Sequence, residues 1–103
     1  MKLNLGCGKK HKQGYVNIDI QEPCDLKHDL RTPWPFADNS VDEIFTEDNT
    51  ICLFSRQEWE GVVKREMARV LKTGGKLEII FLDFEYIPKA FLDNKDGQKW
   101  LYI

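Results

Sequence analysis

The stretch LNLGCG at residues 3–8 constrains this chain more than any other. Lys2 to Leu5 alternates polar and apolar side chains and reads as a short strand that Gly6 and Gly8 bring to an end. Tyr15 to Ile20 (YVNIDI) alternates in the same way, is rich in β-branched residues and reads as a second strand. Only ten residues separate Leu5 from Val16. That is close to the minimum for a parallel crossover, so any helix between the two strands is a turn or two at most. Two glycines around Cys7 at this point admit three readings: a metal-binding thiol, a tight turn, or a loop that lets a ligand approach the backbone.

Further along, Cys24 to Leu30 alternates more weakly and reads as a third strand. Thr32 to Ser40 carries two prolines and an Asp-Asn-Ser cluster, and reads as a loop. Val41 to Thr46 is a fourth strand. Ser55 has Glu58 three residues on, the spacing of a capping box. Trp59, Val62, Val63, Met67, Val70 and Leu71 then follow at helical intervals, predicting a helix to about Leu71 with Gly74-Gly75 as its stop. Lys76 to Leu82 is a fifth strand and the most buried. Ile87 to Leu92 reads as a short helix with Pro88 in its first turn, followed by a turn over Asp93 to Gly97. Strands separated by loops and helices, without Asn-Gly hairpins, point to a parallel sheet covered by helices. With 103 residues, the expectation is a single domain over 1–103.

Composition removes several function classes. Fifteen basic residues against 17 acidic give a net charge of −2, which offers no generic nucleic-acid footprint. Cys7, Cys24 and Cys52 show no CxxC and no Cys/His zinc spacing, and His11 and His28 stand apart, so no metal is expected. A disulfide framework has no support either, which points to reduced thiols and a cytoplasmic setting. No apolar run has membrane length, so no membrane partner is expected.

In open α/β sheets, ligands bind at the carboxyl ends of the strands. Gly6 and Gly8 hold that place after the first strand. Asp19 ends the second, where a carboxylate suits the two hydroxyls of a ribose. Asp29, beside Leu30, ends the third and could accept from an adenine amino group. Each acid taken singly reads as a solvated loop acid or a cap. Their shared phase at consecutive strand ends favours one wall of a nucleoside pocket.

These residues carry a family resemblance. LNLGCG (3–8), YVNIDI (15–20), HDL (28–30), PFADNSVDEI (35–44) and ARVLKTGGKLEI (68–79) resemble the successive motifs of class I S-adenosylmethionine-dependent methyltransferases, over residues 2–84. LKTGG is similar to the family's LKPGG turn, with Thr73 in place of the proline. The resemblance implies a Rossmann-like three-layer α/β fold with a mostly parallel five-stranded sheet in the order 3-2-1-4-5. It implies S-adenosylmethionine as cofactor and an unidentified methyl acceptor. Leu5, Gly6, Cys7 and Gly8 would then lie along the methionine and ribose portions, with Cys7 a small spacer. Asp19 and Ile20 would hold the ribose, Asp29 and Leu30 the adenine, and Glu47 the cofactor's amino-acid end. A nicotinamide cofactor fits worse. His11 stands where the third glycine of its fingerprint belongs, and Asp19 follows Gly6 by 13 residues rather than the ~20 expected.

Two departures from the family pattern stand out. After the fourth strand the chain reads TEDNTICLFS where related methyltransferases carry a segment like SHVLEH, with Asp48 and Asn49 near the place of its histidine and Ile51-Cys52 near its Glu-His. No catalytic base is apparent, and His28 reads as a packing residue. Methyl transfer by direct displacement can rest on alignment alone. The alternative is a non-catalytic, methyltransferase-like binding or interaction module. The second departure is length: the chain reads as lacking the family's C-terminal hairpin. That would leave strand five with an unpaired edge and predict a homodimer through strand five, the 87–92 helix and Trp100 to Ile103.

Overall fold

The computed structural model describes residues 1–47 and 54–80, and the backbone of 91–95 and 98–102; Asp48, Asn49 and Cys52 lie outside these. Five strands, β1 (Lys2–Leu5), β2 (Val16–Asp19), β3 (Leu26–Lys27), β4 (Val41–Glu47) and β5 (Leu71–Ile80), form one sheet in the order β3-β2-β1-β4-β5. Every pairing is parallel. This is a Rossmann-like α/β fold. β3 is shorter than the 24–30 run predicted for it, and β5 starts five residues earlier than predicted (71 against 76). Positions 81 and 82 of the expected fifth strand lie outside the described residues.

Between β4 and β5 runs one continuous helix over 56–70, composed of α1 (Arg56–Glu58), a π-helical turn (Trp59–Val63) and α2 (Lys64–Val70). Its capping box is formed as the spacing predicts: the Glu58 amide donates to Ser55 Oγ at 3.1 Å and the Ser55 amide to Glu58 Oε1 at 2.9 Å. Gly74-Gly75 does not stop this helix. Leu71 already turns extended (φ −73°, ψ 131°), and both glycines lie within β5. There they allow a bulge: from Val41↔Leu71 to Glu43↔Lys76, two steps along β4 match five along β5.

Direct register partners in a parallel sheet share a face. Leu3 pairs with Val16 and Ile44, and Leu5 with Ile18 and Thr46, giving an apolar face. Val63, Met67 and Val70 of the helix and Leu30 and Trp34 of the 28–40 connection bury it. Arg69 fastens that connection to α2. Its guanidinium donates to the carbonyls of Phe36 (2.7 Å) and Trp34 (3.0 Å) and to Asp38 (2.7 Å), and it also binds Glu66. Leu71 and Ile79 are the only buried residues of β5, which is therefore not the most buried strand: β1 is, because it has neighbours on both sides.

The opposite face departs from the expectation of helical cover. One row across the sheet is Lys2, Glu43 and Lys76; the next is Asn17, Asn4, Phe45 and Glu78. No helix joins β1 to β2; the 6–15 connection crosses this polar face as an ordered loop. The buried side chains of Asn4 and Asn17 hold it. Asn4 Nδ2 donates to Asn17 Oδ1 at 2.8 Å and to the Lys10 carbonyl at 2.9 Å, while Asn17 Oδ1 accepts from the Lys12 amide at 2.8 Å. The Lys12 ammonium sits 3.7 Å from the Phe45 ring centre and 4.7 Å from that of Tyr15. Polar side chains bonded to loop backbone thus do the covering that a second helical layer would otherwise do.

The C-terminal expectations are also corrected. β6 (Phe91–Lys95) and β7 (Gln98–Tyr102) form an antiparallel hairpin, a separate two-stranded sheet, with Phe91 opposite Tyr102 and Lys95 opposite Gln98. Phe91 and Leu92 are therefore strand rather than helix, and Asp93 to Lys95 strand rather than turn; 87–90 lie outside the described residues. The hairpin stands apart from the five-stranded sheet and does not extend it beside β5, as the family's hairpin would. Its sequence signal is Asp96-Gly97 between two strand-like runs.

Candidate functional site

β1, β2 and β3 end on the same side of the sheet, and the loop after β1 turns there on Gly6 (φ 63°) and Gly8 (φ 52°). A side chain at Gly8 would meet no atom within 4 Å, so the glycine leaves open space where a ligand can approach the backbone. Between them the Cys7 amide donates to the Ile18 carbonyl at 3.0 Å. The Cys7 side chain is buried, and burial, with the Asp19 charge adding to it, pushes its thiol up from the ordinary cysteine value. A buried, protonated thiol is a spacer rather than a nucleophile or metal ligand.

Asp19 carries the loop from the neighbouring strand. Its Oδ2 accepts from the Gly8 amide at 2.8 Å and its Oδ1 from the Gln21 amide at 3.0 Å. A carboxylate has about four acceptor sites, two on each oxygen, so about one remains open on each.

Two cavities share Gly6 and Gly8 in their linings. The larger, about 520 Å³, is lined by Asp19, Ile20, Asp29 and Leu30 together with His28, Arg31 and Phe54. The smaller, about 180 Å³, is lined by Leu5, Cys7 and Glu47 together with Lys9 and Lys10. All nine residues selected from sequence therefore line one cavity or the other. Leu5 and Leu30 are buried in the core beneath, whereas Ile20 stands exposed. Lys10 Nζ donates to Glu47 Oε2 at 3.2 Å, an ion pair in the lining of the smaller cavity.

Asp29 lies two residues past β3, and its carboxylate is engaged by Arg31 through Nε and Nη2 at 3.0 and 2.9 Å. Those hydrogen bonds hold its carboxyl below the usual carboxylate range. His28 Nε2 lies 3.3 Å from Thr32 Oγ1, and that hydroxyl donates to the Asp29 carbonyl at 2.7 Å. The Thr32 proton is thus committed to a carbonyl, and His28 has no nucleophile to activate there. Sequence reasoning missed Arg31, Phe54, Lys9 and Lys10. The lysines follow the glycines directly and could have been found; Phe54 lies far along the chain, just before the helix, and carries no local signal.

No protein-family model, curated protein or solved structure matches this chain. Among the described residues, no helix is long and apolar enough to cross a membrane.

Proposed function

We propose that the chain binds S-adenosylmethionine along the two cavities that share Gly6 and Gly8 and serves as a methyltransferase, or its cofactor-binding core, acting on an acceptor yet to be identified. The observation that carries this reading is Asp19. With one acceptor site open on each oxygen, it offers what the cis-diol of a ribose requires, beside a glycine that leaves the ligand room. The 520 Å³ cleft has the volume for a nucleoside, and the 180 Å³ cavity shares Gly6 and Gly8 with it. Lys10 and Glu47, paired with each other at 3.2 Å, would part to meet the carboxylate and ammonium of an α-amino acid.

When bound, the cofactor supplies a sulfonium methyl group open to direct displacement. The chain's own part is orientation: Asp19 fixes the ribose, the Gly6–Gly8 backbone fixes the path between the cavities, and Lys10 with Glu47 fixes the amino-acid end. Alignment of this kind accounts for a large share of catalysis in a displacement needing no covalent help. A binding module without transfer activity would use the same cleft and differ only in the acceptor side.

Calorimetric titration with S-adenosylmethionine, S-adenosylhomocysteine and NAD in parallel tests the reading. The two adenosyl ligands should bind and NAD should not. Binding of NAD alone, or of none of the three, overturns it.

A further inference from the structure

The acid expected to meet the ligand's base is not a free carboxylate. The backbone amide and Nε of Arg31 donate to Asp29 Oδ1, both at 3.0 Å, and Nη2 donates to Oδ2 at 2.9 Å. Three of about four acceptor sites are thereby filled, and about one remains, on Oδ2. The planar guanidinium fork fixes the plane of the carboxylate in a way a point charge would not. Arg31 is itself steadied from outside: Nη1 lies 3.4 Å from Glu58 Oε2, and Glu58 is locked by the capping box at the start of the helix. Asp29, Arg31 and Phe54, which immediately precedes that box, all line the larger cavity.

One remaining acceptor site on a fixed carboxylate is a reader of a single N–H. A purine with a 6-amino group presents such a donor. A 6-keto purine presents an oxygen there, and two acceptors facing each other leave both unpaired at a desolvation cost. We propose that Arg31 is a positioning residue that sets the base specificity of the cleft, holding Asp29 so that one Oδ2 site reads a 6-amino purine and rejects a 6-keto one. This rests on the adenosyl-ligand reading above.

The test is competition of adenosine and inosine against S-adenosylhomocysteine, on the parent protein, R31M and R31K. The parent should prefer adenosine by roughly tenfold or more, as for a hydrogen bond to a charged group. R31M should lower that preference about fivefold, the upper range for an exposed pair, through weaker adenosine binding with inosine unchanged. R31K should not restore it, since lysine cannot reproduce the fork. An unchanged preference in R31M, equal losses for both nucleosides, or full restoration by R31K would each overturn the proposal while leaving the functional reading intact. A parent protein that binds no adenosyl ligand overturns the functional reading, and the base-reading role with it.

Discussion

The backbone amide of Gly8 donates to Asp19 Oδ2 at 2.8 Å, so the acid at the end of β2 sets the shape of the loop at the end of β1. Under the proposed function Asp19 has a second duty, to the ligand, and a single substitution would remove both. Asp19→Ala should weaken S-adenosylhomocysteine binding by about 1.5–3 kcal/mol. The 2′-deoxy form of the ligand separates the duties. The parent should prefer the ribo form and Asp19→Ala should lose that preference; an equal loss for both forms would leave Asp19 only its loop role.

Cys7 offers the converse case. Its backbone is bonded to Ile18, its side chain is buried and its thiol is pushed above the ordinary cysteine value, which fits the spacer role. Cys7→Ala should cost about 1 kcal/mol of stability, as a small buried side chain does, and leave cofactor affinity within about threefold. Thiol labelling of the folded protein should modify the half-buried Cys24 well before Cys7. Loss of ligand binding in Cys7→Ala would overturn the spacer role.

Much of this was legible in the sequence because it is local. KLNL, the glycines after it and the Ser55–Glu58 box each declare themselves within six residues. What stayed hidden depends on partners far along the chain. Asn4 and Asn17 read as ordinary polar positions on alternating strands, and only the parallel register brings them together beneath the 6–15 loop. That pairing also explains why the second face of the sheet can be polar without a helix over it. The Asp29–Arg31 pair was the opposite case: close in sequence, yet visible only once both were seen to line one cavity.

β5 is the outer strand of its sheet, and β6 comes near it without joining the ladder. Ile80, at its end, is 40% exposed. Among the described residues, an outer strand that ends on an exposed apolar side chain can pair with a second copy. Light scattering over a dilution series should show a homodimer that Ile80→Lys dissociates. A monomer at every concentration would mean that the β6–β7 hairpin shields the edge within one chain.

Two glycines should respond to the same substitution with opposite signs. A Cβ on Gly75 would lie 2.8 Å from both the Lys72 carbonyl oxygen and Leu71 Cγ, whereas one on Gly61 meets nothing within 4 Å. Gly75→Ala must therefore shift backbone at the β5 bulge and should destabilise by about 1–3 kcal/mol. Gly61→Ala fills no contact and only restricts the unfolded chain, so it should stabilise by about 0.4–1 kcal/mol. Chemical denaturation of the two variants decides this; a stabilised Gly75→Ala would mean that the bulge is not tightly packed.

The same bulge makes the fold sensitive to acid. Asp42 lies on β4 inside the register shift, and Lys72 opens the bulge opposite it, with Nζ 2.8 Å from Asp42 Oδ1; the amino terminus binds Oδ2. The hydrogen bond from Lys72, then that from the amino terminus, lowers the Asp42 carboxyl to about 2. In the unfolded chain the same group titrates near the usual carboxylate value of about 4. The folded state thus binds this proton more weakly than the unfolded state does. Its contribution is fully present above about pH 4 and is lost as pH falls toward about 2. Asp25, Asp29, Glu43 and Glu58 are also lowered and contribute to the parent's acid sensitivity, so the difference between two proteins is the informative quantity. Thermal unfolding midpoints from pH 5 to pH 2 should fall less steeply in Asp42→Asn than in the parent, with the two curves converging at the acid end. Parallel curves would show that the Asp42–Lys72 pair does not hold the bulge.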